Sequence, residues 1–161
     1  MDAKRIVVKV GSSTLTGDAG TSLNGSAVTK LVDVVANLKG QGKEVIIVTS
    51  AAIAAGMAPL GLTQRPTDLA TQQASASVGQ GLLIAKYSAE FTRHNIVASQ
   101  VLVTGDDLAR DLHKENAKRT LLRLLELGVV PIINENDSVG TEEIRLGDND
   151  RLAALVLQLI G

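Results

Sequence analysis

Four short runs rich in β-branched residues, separated by segments of helical length, constrain the fold of this chain more than any other feature. The runs lie near residues 6–10, 44–49, 98–103 and 129–133. Between the first two, the segment 26–38 repeats apolar residues at spacings of three and four, which predicts one apolar helical face. Strands that alternate with helices form parallel sheets. The sequence therefore predicts an α/β fold with a mainly parallel sheet.

One predicted helix is unusually long. Asp68 or Thr67 is a candidate N-cap, and the helix would run to about His94. Its length of roughly 25 residues exceeds the usual range and predicts a kink near Gly79 or Gly81. The other segments predicted are helices over 26–38, 51–56, 116–127 and 151–160, and an excursion, such as a hairpin, over 138–147.

The composition narrows the class of protein. Hydrophobic residues make up 45% of the 161 residues, but Phe91 and Tyr87 are the only aromatic ones, so the core must consist of Val, Leu, Ile and Ala. The absence of cysteine excludes disulfides, thiolate zinc sites and a cysteine nucleophile. A net charge of −1 gives no basic surface for nucleic acid. No apolar run reaches the ~18 residues of a membrane span, and the first residues do not form a signal peptide. We therefore expect a cytoplasmic protein.

Polar residues follow the first two predicted strands, at the sheet edge where parallel sheets bind ligands. Lys9 and the Gly11-Ser-Ser turn can hold a phosphate, although an ordinary turn with a solvated lysine is the simpler explanation. Ser50 can either bind a carboxylate or cap the helix that follows it. His94 and His113 have no evident nucleophile to serve and are expected at the surface.

The fourth strand and the last helix bring further polar groups. The block 134–137 (NEND) suits recognition of an ammonium or amide group, or of a metal ion, and a polar turn is the alternative. The block 147–150 (GDND) precedes the last helix, so Asp148 or Asn149 can be its N-cap. Arg145 lies close by in sequence and can oppose an anionic substrate.

Taken together, these blocks resemble a known family. The strings VVKVGSSTLT, VTSAAIAAG, VGQ, NAKRTL, PIINENDSV and IRLGDNDRLAALV resemble, in this order, the glutamate 5-kinases of the amino acid kinase family. The resemblance covers essentially all 161 residues. It implies a three-layer αβα sandwich that uses ATP and Mg²⁺ to phosphorylate the γ-carboxylate of L-glutamate, the first step of proline biosynthesis. It also implies feedback inhibition by proline and a homo-oligomer.

The resemblance also assigns roles to residues. Lys9 is the catalytic residue and contacts the phosphates of ATP, while Asp137 pairs with the substrate ammonium and Ser50 and Asn149 take its carboxylates. No protein residue is implied as a metal ligand. Because the attacking carboxylate is already ionised at pH 7, no general base is needed. Supporting roles would fall to Gly11, Arg145, Asp148 and Asp150.

This sequence departs from the family pattern at three places. Ala51 stands where the family normally has Gly, which would weaken substrate binding if the position requires a positive φ. Gln72 stands where Lys is common, and the segment RDLHKENAK lacks the usual aromatic residue.

The family has a further stretch that completes the sheet and binds the nucleotide. We therefore expect residues 1–161 to be the N-terminal, glutamate-binding part of an amino acid kinase domain, with the C-terminal part missing and without activity alone. Two alternatives are a non-catalytic half-domain that senses glutamate or proline, and another amino acid kinase. The absence of G-x-G-x-x-G after the first strand argues against a dinucleotide-binding oxidoreductase.

Overall fold

A four-stranded sheet forms the centre of the molecule. The computed structural model describes residues 3–140 and 149–161. The strands are β1 (Arg5–Lys9), β2 (Glu44–Val48), β3 (Ala98–Val103) and β4 (Val130–Glu135). They lie in the order β1-β2-β4-β3, and every pair is parallel. The α/β class and the parallel sheet are thus confirmed, and each strand begins and ends within two residues of its predicted bounds.

Seven helices connect or flank the described strands. They are α1 (Ser12–Leu15), α2 (Gly25–Gly40), α3 (Ala52–Met57), α4 (Leu69–Thr92), α5 (Gly105–Ala109), α6 (Asp111–Glu126) and α7 (Asp150–Ile160). The predicted helix near 116–127 begins earlier, at Asp111, and α5 precedes it. The capping box between Thr104 and Asp107 starts α5, because each side chain bonds the other residue's backbone N–H. Of the predicted excursion over 138–147, residues 141–147 lie outside the described residues.

The sheet separates two apolar cores, which gives three layers. Along β2, Val45 and Ile47 belong to the core shared with α2 and α4, whereas Ile46 and Val48 belong to the core shared with α6 and α7. All four side chains are fully buried, as expected for a central strand covered on both faces. The arrangement agrees with the three-layer sandwich that the resemblance implies.

Helices α3 and α4 approach so closely that only glycine fits at two positions. A Cβ atom on Gly56 would lie 1.9 Å from the carbonyl oxygen of Ser75, and one on Gly79 would lie 1.7 Å from that of Ala52. Both distances are far below any real contact, and the neighbours are backbone atoms that cannot move aside. Helix α4 is continuous from Leu69 to Thr92, so Gly79 does not end a helix. The close approach of α3 is what requires glycine at this position.

Helix α7 is fixed beside β1. Arg5 of β1 donates a hydrogen bond to the carbonyl oxygen of Ile160 at 2.6 Å and forms an ion pair with Glu44 at 2.8 Å. The first residues of α7 consequently lie at the carboxyl ends of the strands. Of the helices in the described ranges, none is both long enough and apolar enough to cross a membrane.

Candidate functional site

A cavity of about 210 Å³ opens at the carboxyl ends of β2 and β4. A cavity of this size suits a small metabolite. Its lining includes the polar residues Ser50, Arg65, Asn134, Glu135, Asp137 and Asn149. The sheet therefore gathers Ser50, Asp137 and Asn149, three residues far apart in sequence, around one cavity, as the sequence predicted for a strand-end site.

Two residues of the lining have left-handed backbone. Ala51 has φ 78° and precedes α3, and Asn149 has φ 59° and precedes α7. Asparagine adopts this conformation comparatively easily, whereas alanine does not. The condition attached to Ala51 is thus met, because the position has positive φ. Left-handed backbone at an alanine costs about 1–2 kcal/mol relative to a residue without Cβ.

Asn149 binds the end of β2. Its side-chain nitrogen Nδ2 donates to the carbonyl oxygen of Thr49 at 2.5 Å and to Oγ of Ser50 at 3.0 Å. The same nitrogen lies 3.0 Å from Oδ1 of Asn134 on β4. Asn149, one of the two candidates from the sequence, holds the N-cap position of α7, but its side chain makes no capping bond. Ser50 does not cap α3 either, because Ala51 is the N-cap residue there and no side chain caps that helix.

A buried amide from α4 completes this network. Gln80 accepts a hydrogen bond from Nδ2 of Asn134 at 3.3 Å and donates to the carbonyl oxygen of Glu135 at 3.1 Å. Gln80 and Asn134 are only 6% and 3% exposed. Sequence reasoning missed Gln80, although it lies in the string VGQ that carried part of the resemblance. A long polar side chain at a buried helix position is the signal that identifies it.

Behind the cavity, two hydroxyl groups are buried together. Oγ1 of Thr49 and Oη of Tyr87 are 2.9 Å apart, and both residues are at most 1% exposed. Burial raises the pKa of Tyr87 to about 12, and the hydrogen bond with Thr49 opposes that rise only in part. The tyrosine is therefore a neutral part of the wall that supports the end of β2.

Lys9 and Asp150 form an ion pair beside the cavity. The lysine Nζ lies 2.8 Å from the aspartate Oδ1, and the two side chains are 25% and 77% exposed. Gly11, two residues after Lys9, has φ −78°, and a Cβ there would meet Nζ of Lys9 at an ordinary 3.4 Å. Neither the backbone nor the space around Gly11 therefore requires glycine, and its supporting role stays a prediction.

The charges of the lining have both signs. Glu135 and Asp137 contribute carboxylates, and Arg65, from the connection between α3 and α4, contributes a guanidinium. Sequence reasoning missed Arg65, because it lies in a loop without helical or strand periodicity. Within residues 3–140 and 149–161, no three His, Cys, Asp or Glu side chains are grouped so as to hold a metal ion. Arg145 and Asp148 lie outside the described residues.

The two histidines lie outside this lining. Nε2 of His94 is 2.7 Å from Oδ1 of Asp33, and Nδ1 of His113 is 3.1 Å from Oδ1 of Asp107. Their side chains are 31% and 46% exposed. Each histidine is thus paired with a carboxylate at the surface, with no nucleophile beside it in these contacts.

Comparison with known proteins gives one consistent result. The sequence pattern of the amino acid kinase family matches residues 4–161. A glutamate 5-kinase of Thermobifida fusca is 61% identical over 158 residues, which are 98% of this chain and 40% of that protein. A glutamate 5-kinase of Streptomyces coelicolor is 60% identical over 99% of this chain and 42% of its own length. A glutamate 5-kinase of Clavibacter michiganensis is 55% identical over 98% of this chain and 59% of its own length. The chain thus spans roughly two fifths to three fifths of these relatives.

Proposed function

Because the chain belongs to the amino acid kinase family, we propose that it forms the glutamate-binding part of an enzyme that transfers the γ-phosphoryl group of ATP to the γ-carboxylate of L-glutamate. The product is glutamyl 5-phosphate, and the reaction opens proline biosynthesis. One observation carries this proposal: a small cavity with groups for both ends of an amino acid lies beside a lysine at the carboxyl edge of the sheet.

The two signs of charge in the lining suit a zwitterionic substrate. Glu135 and Asp137 can attract the ammonium group of glutamate, whereas Arg65 and the hydroxyl of Ser50 can attract carboxylates. Relatives of about 60% identity are named glutamate 5-kinases, which favours glutamate over another substrate of the family.

The Lys9–Asp150 pair supplies the charge for phosphoryl transfer. We propose that Lys9 contacts the transferring phosphoryl group and stabilises the negative charge on its oxygens. Asp150 then holds the ammonium of Lys9 in place from the start of α7. Glutamate attacks as an ionised carboxylate, so the chemistry consists mainly of positioning and charge neutralisation.

The role of Mg²⁺ follows from the same chemistry. Mg²⁺ in kinases keeps several waters and binds phosphate oxygens together with one or two carboxylates. We therefore propose that the ion enters together with ATP. When bound, it would neutralise charge on the phosphates.

Two further properties are proposed on the resemblance. Proline shares an α-carboxylate and an ammonium with glutamate, so it would compete for the same cavity as a feedback inhibitor. The protein would act as a homo-oligomer in the cytoplasm.

Glutamate-dependent release of ADP by the full-length protein tests the proposal. We expect turnover with L-glutamate, and a Lys9→Ala variant that keeps its glutamate affinity but loses about 100-fold or more in kcat. Because the matched relatives are considerably longer, we propose that residues 1–161 assayed alone release no ADP. Turnover unaffected by Lys9→Ala would refute the role of the lysine. Glutamate binding by calorimetry without any effect of ATP would indicate a sensor instead of a kinase.

A further inference from the structure

The orientation of the Asn149 amide is decided by a backbone group. A side-chain amide has a donating and an accepting end, whereas a backbone carbonyl oxygen can only accept. Because the carbonyl oxygen of Thr49 lies 2.5 Å from Asn149, the end that faces it must be the NH₂ group. The same NH₂ group lies 3.0 Å from Oγ of Ser50 and 3.0 Å from Oδ1 of Asn134.

The next two amides are oriented in the same way. The backbone N–H of Glu135 can only donate, and it donates to Oδ1 of Asn134 at 2.9 Å. The NH₂ group of Asn134 therefore faces Oε1 of Gln80. The NH₂ group of Gln80 in turn faces the carbonyl oxygen of Glu135, which can only accept. The three amides thus form one chain, Gln80–Asn134–Asn149, and no member can reverse without opposing two like groups.

This chain leaves Asn149 with only an acceptor for a ligand, and it leaves the hydroxyl hydrogen of Ser50 free to donate. The two hydrogens of the Asn149 NH₂ group are shared among three acceptors, so the group has no donor left for a ligand. No described residue donates to Oδ1 of Asn149 in this network, and Asn149 is one of the residues that line the cavity. Oγ of Ser50 accepts from Asn149, so its own hydrogen is free to donate.

We propose that Asn149 receives the ammonium group of the substrate through Oδ1, that Ser50 donates to a substrate carboxylate, and that Gln80 and Asn134 are positioning residues that maintain this polarity. The inference rests on the proposed function, since it takes an amino acid as the ligand. It reverses the expectation from the sequence that Asn149 takes a carboxylate. It also gives Gln80, which is buried on α4 and is not part of the cavity lining, a part in substrate selection.

A comparison of two ligands on the full-length protein tests the polarity. Glutarate has both carboxylates of glutamate but no ammonium, and the affinity for each ligand is measured by displacement calorimetry. We expect Asn149→Ala to lower the affinity for L-glutamate at least tenfold and the affinity for glutarate less than twofold. Ser50→Ala should weaken both ligands by the same factor. Equal losses of the two ligands in Asn149→Ala would overturn the inference, whereas failure of the unaltered protein to bind glutamate would overturn the proposed function itself.

A second pair of variants tests the positioning role and does not require Asn149 to be replaced. Gln80→Leu should raise KM for glutamate at least fivefold with kcat changed less than twofold. Gln72→Leu is the matched control, because Gln72 lies on the same helix and also donates to a backbone carbonyl, that of Pro66, outside the chain of amides. It should leave both constants unchanged. If the Gln80→Leu protein unfolds at a lower temperature but keeps the KM of the control, Gln80 has a purely structural role. That result would overturn its proposed positioning role.

Discussion

Helices that begin at the cavity differ from helices that begin elsewhere. Helix α2 starts with Asn24, whose side chain accepts from the N–H of Ala27, and α4 starts with Asp68, whose side chain accepts from the N–H of Thr71. Helices α3 and α7 start with left-handed residues and have no side-chain cap. Helices α1 and α6 also lack a side-chain cap. Helix α1 follows Gly11, whose φ of −78° is not left-handed, and its first residue Ser12 lines the cavity, whereas α6 follows α5 after a single residue.

The difference shows where local stability is given up. Capping side chains satisfy N–H groups of the first turn and stabilise a helix by about 1 kcal/mol. At the cavity, the Ser50 and Asn149 side chains bond to each other instead. Left-handed backbone and missing caps are unfavourable locally, and such features concentrate at functional sites. The position of α3 must therefore come from packing, and the position of α7 from its core face and from Arg5.

The largest effect is expected where packing replaces the missing cap of α3. Gly79→Ala places a methyl group against the backbone of Ala52 and should destabilise the protein by about 3 kcal/mol, because α3 or α4 must shift. Urea denaturation measures the change. Gly81→Ala on the same helix is the control: nothing lies within 4 Å of its Cβ position, so it should stabilise by about 1 kcal/mol. Equal effects of the two substitutions would contradict the close contact.

The next effect concerns an ordinary cap. Asn24→Ala removes the acceptor for the N–H of Ala27 and should lower the free energy of unfolding by about 1 kcal/mol. Thermal unfolding followed by circular dichroism measures it. Ser26→Ala, at the second residue of α2, removes no capping bond and should change stability by less than about 0.5 kcal/mol. A loss in Ser26→Ala as large as that in Asn24→Ala would mean that the cap is not what stabilises α2.

A smaller effect of opposite sign is expected at the cavity. Ala51→Gly relieves the left-handed strain at φ 78°, worth about 1–2 kcal/mol, but glycine loses more chain entropy on folding. The net stabilisation should be about 0.5–1 kcal/mol in urea denaturation. Ala54→Gly, inside α3, should instead destabilise by about 1 kcal/mol. If Ala51→Gly also destabilises, the left-handed conformation is not a source of strain.

The smallest effect distinguishes the two ordinary caps by their charge. The backbone N–H of Thr71 holds the pKa of Asp68 below its ordinary value of 3.8, because the bond favours the ionised form. A lowered pKa in the folded state adds stability above that ordinary value and loses it as the pH falls through the folded value. The stability of the protein relative to Asp68→Asn, which caps without titrating, should therefore decrease below about pH 4. A difference that stays constant from neutral to acid pH would contradict this origin. The Asn24 cap should not titrate.

The fold was predictable because the strands are buried on both faces. A run such as 44–48 (EVIIV) is apolar without alternation, and the segments between such runs have helical periodicity. The cap at Asp68 was also predictable, since it depends on neighbouring residues only. The capping box that starts α5 was missed, although Thr104 and Asp107 have the required spacing.

The site was predictable only in part. Strand ends meet at one edge of a parallel sheet, so Ser50, Asp137 and Asn149 could be expected around one cavity. The positive φ of Ala51 could be posed only as a condition, because no local pattern reveals backbone strain. Gln80 could not be assigned a role, since its partners are 54 and 55 residues away in sequence. The roles of Lys9 and the glutamate-binding residues stay predictions for the assays above.

The fluorescence of the buried tyrosine behind the cavity should report ligand binding. Within these 161 residues Tyr87 is the only tyrosine, and tryptophan is absent. The Tyr87 hydroxyl is hydrogen-bonded to Oγ1 of Thr49, and the carbonyl oxygen of Thr49 accepts a hydrogen bond from Asn149. Two hydrogen bonds, both made by Thr49, therefore connect the tyrosine ring to the cavity lining. A ligand that displaces Asn149 should alter the emission of this ring. The protein thus contains an intrinsic fluorophore at the place where its substrate is proposed to bind.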